Sequence, residues 1–252
     1  MKEEKTTFLT NLGNIWLNLK GSHFLKVYEI KECDAIILAT SCKEAFEDGE
    51  RESRVYPLNI GGILKSVYCD MTTEGGGWTV IQSRGDFGRP QDYFLKNWVE
   101  YKNGFGNPEE DFWLGLEAMH KLGTQQLLIE LEDFEGEKVS VIIDDFHVGD
   151  EQHYYTMTHG NYTNDHGRCF PPSGTKFSTI DRDNDVHAES SCATSYSGAW
   201  WYTNCHCSNI NGLYLRGSHE SYADGIEWAS FKGAHYSLKN TAMKVRAAPQ
   251  LI

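Results

Sequence analysis

The chain has 252 residues, with 23 Lys and Arg against 36 Asp and Glu and a formal net charge of −13 at pH 7. An acidic chain of this kind is repelled by nucleic acid and by anionic membrane surfaces, which excludes both as main partner. No window carries the ~18 apolar residues that a membrane span needs, and 24 Gly, 7 Trp and 13% aromatic residues describe a loop-rich globular chain with much rigid contact surface.

In chain order, Met1-Lys2-Glu3-Glu4-Lys5 carries charges of both signs and runs into no apolar stretch, so no signal peptide is visible. Leu12, Ile15, Trp16 and Leu19 fall at i, i+3, i+4 and i+7. That spacing predicts a short amphipathic helix within an N-terminal segment 1–38, packed either on a second subunit or on its own domain. Ser41-Cys42-Lys43-Glu44 is a capping box that starts a helix closed by Gly49. The globular boundary is placed just before it.

From residue 53 the pattern turns to strands. Val55 to Leu58 and Ser66 to Cys69 flank Gly61-Gly62 as a hairpin. Gly75-Gly76-Gly77 precedes a short buried strand, Trp78 to Ile81. Phe94, Leu95, Trp98, Val99 and Tyr101 predict a helical surface over 92–102, and Pro108 opens a second one carrying Phe112, Trp113, Leu116, Met119 and His120. Gln126 to Leu131 and Val139 to Ile143 read as strands, and Ala242 to Arg246 as a strand returning to the same sheet. Between 149 and 240 periodicity is lost, which predicts a loop-built region held by disulfides and ions, where function concentrates.

Several residues carry candidate chemistry. Seven cysteines and the sequon Asn161-Tyr162-Thr163 point to an oxidising, glycosylating compartment, hence a secreted protein whose leader precedes this numbering, with Asn161 glycosylated. The odd count leaves at least one thiol free or bonded between chains. Asp181-Arg182-Asp183-Asn184-Asp185 sets three carboxylates at alternate positions, a hard-oxygen pattern suited to Ca²⁺. It is not an EF-hand, because Val186 and Cys192 stand where that loop needs Gly and Glu. Cys192 and Cys205 bracket Tyr196 and Trp200-Trp201, a loop whose closure would contribute roughly 3 kcal/mol. Cys205-His206-Cys207 lacks the spacing of a zinc site, and His147, His153, His159 and His166 have no helix to align them. GxSxG, HExxH, P-loop and Rossmann patterns are absent. The acidic run Glu109-Glu110-Asp111 is accounted for by the dipole of a helix start, so no enzyme is expected.

Longer motifs carry a resemblance. Tyr68-Cys69-Asp70-Met71-Thr72-Thr73-Glu74-Gly75-Gly76-Gly77-Trp78-Thr79-Val80-Ile81-Gln82 resembles the signature of the fibrinogen-like (fibrinogen C-terminal) domain. So do Trp98-Val99-Glu100-Tyr101-Lys102-Asn103-Gly104-Phe105-Gly106, Phe112-Trp113-Leu114-Gly115-Leu116 and Gly198-Ala199-Trp200-Trp201-Tyr202-Thr203-Asn204-Cys205-His206. Lys176-Phe177-Ser178-Thr179, Asp183-Asn184-Asp185 and Met243-Lys244-Val245-Arg246 complete the set, which covers about 40–247 in order.

Within that family the C-terminal half is similar to ficolin and tachylectin-type invertebrate lectins. The resemblance implies an α+β fold, a central twisted antiparallel sheet with short helices and a loop-rich, calcium- and disulfide-stabilised C-terminal subdomain. The expected partition is 39–80 as N-terminal subdomain, 81–148 completed by 241–247 as the central one, and 149–240 as the calcium- and ligand-binding one. It implies disulfides Cys42–Cys69 and Cys192–Cys205, and Ca²⁺ held by the side chains of Asp183 and Asp185 with backbone carbonyls of His187 and Glu189. It also implies an acetyl-binding pocket in which Cys205 and His206 form a cis dipeptide and Tyr196, Tyr222 and Ala223 form walls. Where many relatives carry a further aromatic residue near Gly233, Ala234 predicts a thinner wall. Cys169 and Cys207 lie outside the common pair set; a Cys169–Cys207 bridge would brace the dipeptide and leave Cys33 for a bond between chains.

The function implied is a secreted, Ca²⁺-dependent lectin for N-acetylglucosamine, N-acetylgalactosamine and microbial surfaces, acting in innate immunity as a homo-oligomer, since one acetyl pocket binds weakly and several together bind well. The alternative is an angiopoietin-like signalling ligand for a receptor protein. A clotting-type pocket that captures a peptide N-terminus would want acidic walls, where Tyr196 and Tyr222 suit an acetyl group better.

Overall fold

The computed structural model describes residues 38–248. The amphipathic stretch at Leu12 to Leu19 and Cys33 lie outside the described residues. Helix α1 (Cys42–Glu47) starts where the capping box predicts: the Ser41 hydroxyl accepts from the Glu44 amide at 3.2 Å. The Glu44 carboxylate bonds the amide and hydroxyl of Thr40, one residue further back than a reciprocal box requires. Strands β1 (Arg54–Ile60) and β2 (Ile63–Asp70) pair through Ile60 and Ile63. The two-residue turn between them needs positive φ at both positions, and Gly61 (+56°) and Gly62 (+91°) supply it. A Cys42–Cys69 disulfide ties α1 to β2.

Strand β3 (Trp78–Arg84) follows the triple glycine and is almost wholly buried. The helix predicted over 92–102 is shorter. Asn97 and Glu100 form a reciprocal capping box, so α2 begins at Trp98 and ends at Asn103. Phe94, Trp98 and Tyr101 are buried, whereas Val99 is 59% exposed. A second correction concerns Phe112 and Trp113, which are strand and not helix. A short pair, β4 (Phe105–Gly106) and β5 (Phe112–Trp113), folds onto β3 through Gln82 and Trp113 before α3 (Leu116–Leu122) begins. Helical spacing of apolar residues there coexists with two consecutive buried positions, which a strand at a double-sided core also gives.

Strands β6 (Gln125–Glu132) and β7 (Lys138–Val148) form the next hairpin, and β8 (Met157–Thr158) adds to β7. Beyond Gly149 regular structure shrinks to α4 (Cys192–Ser195) and the two-residue strands β9 (Ser208–Asn209), β10 (Gly217–Ser218), β11 (Glu227–Trp228) and β12 (Tyr236–Ser237). The last strand, β13 (Asn240–Arg246), inserts between β3 and β6 and completes an antiparallel order β1-β2-β3-β13-β6-β7-β8, with β5 and β4 attached to β3.

Aromatic packing substitutes for secondary structure in the loop-built part. Phe177, Trp200 and Trp201 are fully buried beside Trp113, and the Trp201 indole donates to the Tyr155 carbonyl at 2.9 Å. The loops are fastened to the sheet from below. Gln82 and Arg84 on β3 donate to the carbonyls of Ile210 and Gly212. Burial pulls the Arg84 guanidinium down to about 10, with Asp111 at 3.6 Å opposing that shift.

Candidate functional site

The alternating carboxylates divide. The Asp181 carboxylate turns to the α2 end, accepting from the Trp98 amide at 2.9 Å and the Thr179 hydroxyl at 2.7 Å, and so has a structural role. Asp183 and Asp185 stay together, the Asp185 amide donating to the Asp183 carboxylate at 3.1 Å. The Asp185 carboxylate accepts from the amides of His187 and Cys192, both at 2.8 Å. Burial raises its pKa, those two amides lower it, and the neighbouring Asp183 raises it again. The His187 ring then accepts from the amides of Glu189 and Ser190, which curls 187–190 into a tight turn.

This donor set fits a hard divalent cation. Two close carboxylates repel each other unless a cation intervenes. Among the described residues no donor is bonded to the carbonyl oxygens of His187 or Glu189. Among them too, no group of three or more His, Cys, Asp or Glu side chains is placed to hold a metal. An ion here would therefore have to draw part of its shell from the backbone.

The 183–190 loop leads through Ser191, whose hydroxyl caps α4, into the segments that surround His206. The Cys192–Cys205 disulfide joins that helix to the 203–208 segment. Tyr196, at the end of α4, stands edge-on to His206 with ring centroids 4.6 Å apart. Tyr202 approaches the same imidazole at 5.5 Å. Buried Asn209 binds two of these tyrosines: its amide donates to the Tyr196 carbonyl at 3.0 Å, and its oxygen accepts from the Tyr202 hydroxyl at 2.6 Å. Nε2 of His206 lies 3.1 Å from the Ala223 carbonyl. Ala223 has φ +60°, an uncommon conformation for a residue with a Cβ, and its amide donates to the Ala234 carbonyl at 2.9 Å. Tyr222 beside it is 64% exposed.

One expectation is corrected. The cis peptide bond is Asn204–Cys205, one residue before the expected Cys205–His206. Next to Ala234, the His235 ring packs on Tyr222 at 5.4 Å, with Nδ1 2.8 Å from the Ser221 carbonyl. Sequence reasoning also missed Asn209 and Glu227, because a single buried polar side chain in a two-residue strand leaves no periodic signal.

All three bridges form: Cys42–Cys69, Cys192–Cys205 and Cys169–Cys207. The last runs beside a cavity of about 240 Å³ bordered by Arg168, Pro172, Cys205 and His206. Tyr196, Tyr222 and Ala223 are not part of its lining. A larger depression of about 410 Å³ lies on the sheet near Phe87, Glu130 and Asn240, away from every candidate residue. Asn161 is exposed; its carbonyl accepts from Asp144, and the Thr163 hydroxyl accepts from the Ile142 amide at 3.1 Å. No helix of the described residues is long and apolar enough to cross a membrane.

Comparison with known proteins agrees with this architecture. The chain is 48% identical over 217 residues to Techylectin-5A of Tachypleus tridentatus, a lectin-type relative, across 82% of this chain and 73% of that one. It is 46% identical to Fibrinogen C domain-containing protein 1-B of Xenopus laevis, across 81% of this chain but only 46% of that one, so it spans under half the length of that relative. The fibrinogen-like globe domain of human ANGPTL2 superposes with a TM-score of 0.78 at 39% identity, covering 84% of this chain and 100% of that one. Residues 38–248 match the family described as fibrinogen beta and gamma chains, C-terminal globular domain, and the chain belongs to that family.

Proposed function

We propose that this chain is a secreted lectin that binds N-acetyl groups of carbohydrates, N-acetylglucosamine and N-acetylgalactosamine among them, on microbial surfaces. The observation that carries the reading is the convergence of three separate loop segments on one imidazole: Tyr196 edge-on, Ala223 through its carbonyl, and the disulfide-held Cys205 preceding it. Stiff aromatic surfaces take up a methyl group at little entropic cost, and fixed backbone amides select for the adjacent carbonyl. Tyr222, with the His235 ring behind it, supplies the outer wall.

Calcium completes the proposal. Asp183 and Asp185, with the carbonyls of His187 and Glu189, would hold the ion. A Ca²⁺ ion supplies charge neutralisation that stiffens the 183–190 loop. The protein's own residues do the recognition, and no residue performs a chemical step, in keeping with a family of ligand-binding and not enzymatic type. Homo-oligomers would raise the weak affinity of single pockets, and Asn161 is the glycosylation position.

The likeness to the ANGPTL2 globe supports the alternative of a signalling ligand for a receptor protein. The assembled Tyr196–His206–Ala223 set weighs for the lectin. A glycan array run with and without EDTA decides: binding to N-acetylated sugars that EDTA removes supports the lectin, and no glycan bound in calcium supports the receptor ligand.

A further inference from the structure

Glu227 is an acid where a loop lectin has no evident need of one. It is 2% exposed, and the β9–β11 ladder pairs it with Asn209, which fixes it beneath the 204–207 segment. Its Oε2 lies 3.7 Å from Nε2 of His206. Oε1 of Glu227, Nδ1 of His206 and Nε2 of His219 are all buried without a hydrogen-bond partner among the described residues. Burial raises the Glu227 pKa; His206, His219 and the Gly225 amide oppose that rise. An acid kept at such cost is poor evidence of a stabilising role.

Nε2 of His206 faces two acceptors, the Ala223 carbonyl and Glu227 Oε2. A bare lone pair there would meet two others, so the proton sits on Nε2. His219 is held in the opposite sense: its Nδ1 faces the Ser221 carbonyl at 3.0 Å, with Asp224 at 3.8 Å. We propose that Glu227 is the positioning residue of the site: it keeps the His206 proton on Nε2, and that N–H holds the Ala223 carbonyl and the left-handed backbone that presents Tyr222.

The ligand side of this inference rests on the acetyl-pocket reading, so the test has two arms. In the first, long-range ¹H–¹⁵N spectra of the wild-type protein report the tautomer of His206. The Nε2–H form is expected; an Nδ1–H ring overturns the proposal whatever the protein binds. In the second, Glu227→Leu and Glu227→Gln are titrated with N-acetylglucosamine and melted. Leucine removes a buried acid with an unpaired oxygen, so Tm stays or rises, while loss of the carboxylate that faces Nε2 at 3.7 Å weakens binding by about tenfold. Glutamine keeps an acceptor oxygen and recovers most of that affinity. Wild-type affinity in Glu227→Leu, or binding and Tm falling together, overturns the role. If the wild type binds no acetylated sugar, the pocket reading fails, and the tautomers of His206 in wild type and Glu227→Leu still decide the relay: a single Nε2–H form becoming a mixture supports it, an unchanged ring refutes it.

Discussion

His206 and Ala223, seventeen positions apart, are joined by one hydrogen bond from Nε2 to the carbonyl at 3.1 Å. The bond holds Ala223 at φ +60°, a conformation that costs of order 1–3 kcal/mol and persists only where the surroundings enforce it. Removing the donor leaves a buried carbonyl unpaired.

His206→Ala is therefore expected to cost about 1–3 kcal/mol of stability and to abolish retention on an acetylated resin. Denaturant unfolding and a retention assay check both. Undiminished retention would detach the imidazole from the site.

The buried pair Lys244–Asp70, at 2.7 Å, predicts an acid limit. Burial opposes ionisation of Asp70, but Lys244, Thr73 and the amides of Thr72 and Thr73 outweigh it and hold the carboxyl well below the usual range. A depressed carboxylate contributes stability that is present above its unfolded value near 3.9 and lost as pH falls further toward the folded one. Stability should thus drop steeply below about pH 4. Asp70→Asn should flatten that slope and cost about 1–3 kcal/mol at neutral pH, because Lys244 then keeps Glu130 as its only carboxylate partner among the described residues. An unchanged acid transition in a folded Asp70→Asn would contradict this.

Legibility followed periodicity. The β1–β2 hairpin was readable because Gly61-Gly62 sits between alternating strands, and β13 because Ala242 to Arg246 is an apolar pulse after a long gap. Phe112 and Trp113 misled, since two adjacent buried aromatics serve a helix or a strand equally and only pairing to Gln82 decides. In the site, Tyr196, His206 and Ala223 were reached through family resemblance and brought together by the fold, while Glu227 and His235 were invisible. Their roles come from contacts across 21 and 13 positions, to His206 and Tyr222, which no local pattern encodes.

Calcium binding is expected to need both close carboxylates. Calorimetry of Asp183→Ala with Asp185→Ala should lose one Ca²⁺ site relative to wild type, with loss of sugar binding in parallel. A double variant that titrates like wild type would move the ion elsewhere.

Three disulfides use six of the 7 cysteines and leave Cys33. A covalent dimer or larger species should appear on a non-reducing gel and disappear in Cys33→Ser. A monomer under both conditions would assign Cys33 a free thiol.

The central claim is that an acetyl group is what the site recognises. In the acetyl reading the carbonyl of the ligand would pair with donors of the site that a plain hydroxyl would leave unpaired, at about 1–3 kcal/mol per donor. Competitive elution of the protein from an N-acetylated resin in calcium measures this directly. N-acetylglucosamine should elute it at concentrations where glucose leaves it bound, and Tyr222→Ala should be held more weakly. Equal elution by glucose and N-acetylglucosamine would contradict the account.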